Sequence, residues 1–478
     1  MSIGRALGWH AERDPDRLSV IDSTTSLTRR ELDLRSNALA RAYAELGVRT
    51  DDLVTIGLPN GVEYFVACAA IWKLGATPQP VSAKLPPAEL AAVVDLADPA
   101  LLVGLELTGR PSVPAGFDAS GYDHAVLPDA VAGSWKAPTS GGSTGRPKLI
   151  LSGTRGEVDP TVAAVPYIPR DGVQLVPGPL YHNGPFIYSM RGLLSGQSLV
   201  VMERFDAERT LQLVEQHRVG WMLLVPTMMQ RIWRLPAPVR TSYDASSLDV
   251  VLHLGAPCPQ WLKRAWIDWL GPDRIVEVYA GTESQGVTVI GGREWLEHPG
   301  SVGRPALGSQ FRVLDSGGRD VPPGTTGEIY MLPAGGPGST YTYRGAVHRS
   351  IDGWESLGDL GHLDADGYLY LADRSADLIL SGGANIYPAE VEAALDAHPA
   401  VRSSAVFGLP DDDLGERVHA VVDVAGNDAT ADELLAHVSE RLVRYKVPRT
   451  LELVREPLRD DAGKVRRSSL RAERLGPR

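Results

Sequence analysis

The chain has 478 residues, 43% hydrophobic and 22% charged, with a formal net charge of −12. That length predicts two or three domains rather than one core, and the composition excludes collagen-like, coiled-coil and wholly disordered chains. The negative balance excludes nucleic acid and anionic membrane as partners of the molecule as a whole. Two cysteines only, Cys68 and Cys258, stand far apart; they exclude a disulfide scaffold and a cysteine-based zinc site, and fit a reducing compartment. No run reaches about 18 uninterrupted apolar residues, so no membrane span is expected. Residues 1–17 lack an apolar signal core, so the expected location is the cytoplasm.

Residues 29–46 space Leu and Ala at helical intervals and stop at Gly47, which predicts a helix. Residues 53–60 predict a short apolar strand ending in a turn, 61–75 a buried helix closed by Gly75, and 88–107 a helix followed by a strand. Such alternation predicts parallel sheets covered by helices. Residues 108–134, rich in Gly, Pro, Ser and Ala, predict a surface connection. The segments 196–205, 219–227, 248–257 and 274–283 each run a strand into a loop. From about residue 300 shorter strands and Gly/Pro turns, as in 311–332, predict a β-rich, barrel-like part. A compact unit follows residue 374, with helix 388–397, strands 401–408 and 417–424, helix 431–444 and a basic tail. The predicted class is α/β: a large N-terminal domain at 1–373 and a small C-terminal α/β domain at 378–478.

The most informative segment is Thr139-Ser140-Gly141-Gly142-Ser143-Thr144-Gly145-Arg146-Pro147-Lys148. Its glycines let backbone N–H groups close on an anion, while hydroxyls and a lysine add donors and positive charge, which suits a nucleotide triphosphate. The spacing is neither that of a Walker loop nor that of a dinucleotide fingerprint. A flexible linker seldom ends in Pro-Lys before an apolar run such as Leu149-Ile150-Leu151. Glu283, after a strand and a Gly-Thr turn, suits a carboxylate holding Mg²⁺ on phosphate oxygens, with Thr282 donating to the α-phosphate. Asp359, between Gly358 and Gly361, suits the two hydroxyls of a ribose, although a Gly-Asp pair alone is usually just a turn. Only seven of the 47 basic residues are lysines, so each lysine carries more weight where a compact point charge is needed. Lys464, after Gly463, fits an ammonium that offsets charge building up during attack on phosphorus. Otherwise it is a surface lysine in a basic tail.

These residues together resemble the adenylate-forming superfamily, which includes acyl- and aryl-CoA ligases, luciferases and adenylation domains. The phosphate loop, Tyr279-Ala280-Gly281-Thr282-Glu283, Leu357-Gly358-Asp359-Leu360-Gly361, Asp373-Arg374 through Gly382-Gly383, and Asp461-Ala462-Gly463-Lys464 are similar to five family motifs in order. The wording of 381–395 is closest to acyl-CoA ligases, including those acting on bile acids. The resemblance implies an adenine-side loop at Gly255-Ala256-Pro257, and a ribose role for Arg374 shared with Asp359. It also implies an aromatic or His beside the reacting carboxylate at His182. It further implies a hinge at 374–377, where Ala376 replaces a more usual Asp or Lys, and a mobile C-terminal domain. On rotation that domain brings Gly382 and Gly383 to the site. Tyr279-Ala280 replaces a more usual Tyr-Gly.

The implied reaction uses ATP, Mg²⁺ and coenzyme A on a small-molecule carboxylic acid. Amino-acid-activating relatives carry an Asp just after an aromatic in this loop, whereas Tyr181-His182-Asn183-Gly184-Pro185-Phe186 holds no acid, which argues against an amino-acid substrate. Met228, His253 and Gly281 are expected beside the acyl group, and Arg444 and Lys446 are expected to meet CoA phosphates. Transfer to a carrier protein or another nucleophile remains open, as does a non-catalytic binding protein on the same scaffold. Retention of Lys148, Glu283 and Lys464 speaks against the last.

Overall fold

The computed structural model describes every residue except 142–146, 164–166, 375–376, 427–428, 461–462 and 476–478. Its largest sheet has nine strands, in the order Arg304–Pro305, Val287–Gly291, Ile275–Ala280, Val250–His253, Trp221–Leu224, Val173–Val176, Ser198–Val201, Leu18–Ile21 and Ser26–Thr28. The six strands from Ile275–Ala280 to Leu18–Ile21 are parallel and the outer ones antiparallel. A smaller sheet of Thr77–Pro80, Leu53–Ile56, Leu101–Val103 and Ser112–Val113 is parallel throughout.

Strand side chains alternate between faces with a period of two, so each parallel strand feeds two cores. Trp221, Leu223, Leu252, Val276 and Val278 face the helix Asn183–Leu194 through Tyr188. Met222, Leu224, Val251 and Ile275 face the opposite way, against Leu211, Met228, Met229, Leu262 and Trp266. These come from the helices Ala207–His217, Pro226–Trp233 and Gln260–Leu270.

The phosphate-loop region is carried by a three-stranded antiparallel sheet of Tyr341–Arg344, Pro147–Ser152 and Thr139–Gly141. The β-rich part is a five-stranded antiparallel sheet over residues 310–374, whose long strand Trp354–Leu363 pairs with Gly327–Leu332 on one side and with Arg349–Ile351 and Leu369–Arg374 on the other. Register shifts at Glu328/Tyr330 and Leu360/Gly361 curl it. A final sheet, built from Ile379–Ser381, Ala384–Ile386, Val401–Asp411, Gly415–Val424 and Thr450–Val454, packs its own core against Val391, Leu395, Leu434 and Val438.

The predicted helices at 29–46, 61–75 and 388–397 are present as Arg29–Glu45, Val62–Lys73 and Pro388–Asp396. The helix expected over 431–444 ends at Ser439, because Val443 is already extended ahead of Pro448. Part of the basic tail is the helix Arg467–Leu475. Its cations bind Glu392, Asp377, Glu416 and Glu452, an acidic surface that is assembled only in the fold. No described helix is long and apolar enough to cross a membrane.

Candidate active site

Loops at the carboxyl ends of the parallel strands converge on one cleft, the usual ligand position in such sheets. After Val173–Val176 the chain reaches His182, the N-cap of Asn183–Leu194. Asn60 holds this loop: its Nδ2 donates to the carbonyls of Gly178 (2.8 Å) and Met202 (3.0 Å), and its Oδ1 accepts from the Leu180 amide (2.9 Å). After Val250–His253 comes Gly255, at φ 89°, a left-handed conformation that favours glycine. After Ile275–Ala280 come Gly281, Thr282 and Glu283. A Cβ on Gly281 would lie 2.5 Å from Leu357 Cδ1, so this loop and the Asp359 strand meet without room for a side chain.

At the phosphate end, Glu283 is buried and its Oε1 accepts from Lys148 Nζ (2.8 Å) and Tyr343 OH (2.6 Å). Lys148 also donates to the Tyr343 oxygen (2.9 Å). Burial opposes ionisation of Glu283, but the Lys148 ammonium and the two hydrogen bonds outweigh it, and the carboxyl titrates below its ordinary value. Burial and the neighbouring Glu283 push the Tyr343 phenol up. The Thr139 hydroxyl accepts from Gln79 Nε2 at 2.9 Å, and Ser140 pairs in register with Lys148. Gly142, Ser143, Thr144 and Gly145 lie outside the described residues.

A magnesium ion fits this end. Such ions commonly take one or two carboxylates and complete their shell with phosphate oxygens and water. Glu283 Oε2 takes neither of the two bonds above, and the described residues hold no cluster of three or more His, Cys, Asp or Glu that would form an all-protein cage.

At the other end Asp359 Oδ2 accepts from Tyr279 OH (2.6 Å), and Arg374 Nε lies 3.3 Å from Oδ1. Lys464 arrives on a turn in which Asp460 and Lys464 exchange backbone contacts: the Asp460 amide donates to the Lys464 carbonyl (2.9 Å) and Asp460 Oδ1 accepts from the Lys464 amide (2.9 Å). Gly463, at φ 77°, presses on the helix Pro226–Trp233; a Cβ there would lie 2.6 Å from Thr227 Oγ1. Asp460 Oδ2 is 3.8 Å from His182 Nε2. The Lys464 ammonium is ringed by protein at the cleft mouth while remaining open to solvent. Burial and then Arg374 draw its pKa down, against Asp460 and Glu283, which raise it.

The structure thus brings together Lys148, Tyr279, Gly281, Thr282, Glu283, Asp359, Arg374, Lys464 and His182. Two expected acyl neighbours are corrected. His253 lies on the opposite face of the sheet, fully buried beside the Lys263–Glu277 ion pair (2.5 Å), and Met228 packs into that face's core with only its Cε near Gly178, 3.8 Å from a Cβ placed there. Leu254, just past the strand, faces His182's helix as Leu252 does within it, and its Cδ1 would lie 3.0 Å from a Cβ on Gly184. Lys446 is paired with both oxygens of Glu390 within the C-terminal unit (2.7 and 2.6 Å), and Arg444 is exposed nearby. Gly382 and Gly383 form a hairpin turn beside Leu414 of the same unit. Ala376 lies outside the described residues.

Sequence reasoning missed Tyr343 and Lys136, and gave Asn183 no partner. Lys136 is buried, donating to Asn183 Oδ1 (2.8 Å) and at longer range to the Thr282 carbonyl (3.5 Å). Burial, reinforced by Arg191, lowers its pKa to about 7. The scarcity of lysine that singles out Lys464 applies equally to Lys136.

A large parallel sheet with its loops around a carboxylate–lysine–tyrosine cluster, and a lysine brought by a second unit, defines a nucleotide-dependent enzyme of the adenylate-forming class. The chain belongs to the AMP-binding enzyme family: that model matches residues 7–132 and 137–343, and the AMP-binding enzyme C-terminal domain matches 390–464. It is 34% identical to the feruloyl-CoA synthase of an Amycolatopsis species, over 96% of each chain. It superposes on the o-succinylbenzoate CoA synthetase of Bacillus subtilis, captured with its acyl-adenylate, with a TM-score of 0.82 at 25% identity, over 98% of each chain. An amide bond synthetase from Marinactinospora thermotolerans matches with a TM-score of 0.80 at 26% identity, over 98% of this chain and 99% of that one.

Gly463→Ala is expected to lower adenylation at least about tenfold, because the new methyl group meets Thr227 and a left-handed φ is strained for alanine; pre-steady-state pyrophosphate release measures it. Lys136→Met is expected to raise stability by roughly 1–3 kcal/mol, the cost of a poorly compensated buried polar group. Between pH 7 and 10.5 the unfolded chain holds the Lys136 proton and the folded chain does not, so wild-type stability rises with pH across that window. The gain in melting temperature from the substitution is therefore largest at pH 7 and below, and shrinks toward pH 10.

Proposed function

We propose that this protein is an ATP-dependent carboxylic acid–CoA ligase, forming an acyl-adenylate and pyrophosphate and then an acyl-CoA thioester. The observation that carries this reading is the docking of the Asp460–Lys464 turn, whose Gly463 abuts Thr227 and whose Asp460 comes within 3.8 Å of His182. The acid's carboxylate, beside His182, attacks the α-phosphorus of ATP, and pyrophosphate leaves. Lys464 and Thr282 offset the charge that gathers on the reacting oxygens. Lys148 meets the outer phosphates, and Asp359, Tyr279 and Arg374 hold the ribose, with adenine against Gly255-Ala256-Pro257. Magnesium held by Glu283 supplies further neutralisation of phosphate charge.

The units are residues 1–373 and 378–478, joined by a hinge at 374–377 that includes Ala376. Rotation about it withdraws Lys464 and brings the Gly382-Gly383 turn to the cleft. The thiol sulfur of CoA then bonds to the acyl carbon and AMP leaves. Arg444 is the basic residue best placed to meet CoA phosphates, since Lys446 is already paired. The acid has an apolar, aromatic-compatible body, in keeping with the wall formed by Tyr188, Trp221 and Leu252 and with the feruloyl-CoA synthase relative. Asn183 supplies no carboxylate for an α-ammonium. A reaction drawing on ATP and CoA fits a cytoplasmic location. Similarity to an amide bond synthetase keeps an amine acceptor as the second reading.

Pyrophosphate release across a panel of carboxylic acids, with and without CoA, tests the reading. Release that rises with CoA and a thioester seen by mass spectrometry are expected; release without thioester transfers the assignment to another acceptor. Lys464→Ala is expected to lose adenylation by roughly 10²-fold or more, yet to convert a supplied acyl-adenylate into thioester. Equal loss in both half-reactions would refute the separation of roles.

A further inference from the structure

The face of the large sheet under Asn183–Leu194 is apolar where the acid's body would lie: Tyr188 stacks on Trp221 with ring centroids 5.7 Å apart, among Leu223, Leu252 and Val278. Two cations lie beside this helix, next to Trp135. Arg191 follows Ile187 by one turn on the same side of the helix. Its guanidinium lies 5.8 Å from the Trp135 ring, and no hydrogen bond or ion pair with a described residue engages its N–H groups. Lys136 Nζ lies 5.8 Å from the same ring and donates only to the neutral oxygens of Asn183 and Thr282. Glu283, the carboxylate whose field reaches Lys136, is already paired with Lys148.

Several other buried cations among the described residues are met by an acid: Lys73 by Asp33, Lys263 by Glu277, and Arg459 and Arg467 by Glu392. The guanidinium and the desolvated lysine, gathered on one aromatic ring without such a partner, are each unfavourable as cations in the free protein, and the lysine gives up its proton above about pH 7. A bound anion removes both penalties, with the planar guanidinium offering two parallel N–H donors to an oxyanion.

We propose that Arg191 and Lys136 form a second anion site within the acid pocket. The substrate is then an acid with an apolar body and a second oxyanion, a carboxylate or a sulfonate, distal to the carboxylate that is activated. This rests on the ligase reading and narrows its substrate class.

Matched pairs test it: benzoate against isophthalate and 4-sulfobenzoate, and hexanoate against adipate, measured as kcat/KM for pyrophosphate release. The wild type is expected to favour the dianion of a pair at least tenfold. Arg191→Leu is expected to lower the dianion-to-monoanion ratio by roughly 10- to 100-fold, and Arg191→Lys to keep most of it. The better of isophthalate and 4-sulfobenzoate identifies the second group. A wild-type preference for the monoanions, or a ratio unmoved by Arg191→Leu, overturns the proposal. If no acid releases pyrophosphate, the ligase reading fails by itself and thermal shift with the free acids decides the pocket. Stabilisation by isophthalate that Arg191→Leu abolishes supports the site, and equal shifts with benzoate and isophthalate overturn it.

Discussion

The contact on which the site depends is the buried ion pair between Lys148 and Glu283, closed by the Tyr343 hydroxyl. It joins two sheets with no strand in common: Glu283 follows a strand of the nine-stranded sheet, whereas Lys148 and Tyr343 stand on neighbouring antiparallel strands of the three-stranded one. A buried pair of this kind is tolerated only when its remaining lone pairs and protons find partners, and the tyrosine supplies one. The same arrangement leaves the second oxygen of Glu283 for a cation and holds Lys148 in place beside it.

A second constraint is steric. Gly281 and Gly463 lie where chain segments touch with no space for a Cβ, one against Leu357 and the other against Thr227. The first fixes how closely the ribose-side strand approaches the Glu283 loop. The second brings the C-terminal turn down onto the helix Pro226–Trp233, so that Lys464 enters the cleft and Asp460 comes beside His182. Few contacts reinforce this docking: the carbonyl of Asp396 receives long bonds from Gln230 and Arg234 (3.4 Å each), and Arg466 pairs with Glu89 at 3.6 Å on the surface. Exposed pairs of that kind contribute little, so this docking rests mainly on the close approach of Gly463 to Thr227.

The strand Val250–His253 shows where reading the chain stops being sufficient. Its apolar character and the Gly255-Ala256-Pro257 turn were legible, but which of two adjacent side chains faces the acid was not. A shift of one residue exchanges every side chain between faces, and the register that decides it is set by pairing with Trp221–Leu224 and Ile275–Ala280. His253 therefore turns to the Lys263–Glu277 pair, while Leu254 turns to the helix that carries His182 and Arg191.

What the sequence by itself determined is the order of the motifs, the alternation of strands and helices, and the chemical type of the groups at 139–148, 279–283, 357–361 and 461–464. These are local properties, carried by glycine spacing, apolar periodicity and the rarity of lysine. Only the tertiary structure decided that Tyr343 completes the Glu283 pair from 60 residues away, that Lys136 and Arg191 share one tryptophan ring, and that Lys446 is already bound to Glu390. Those outcomes depend on strand register and on the meeting of separate sheets, and no short stretch of chain encodes the distance between residues brought together from its two ends.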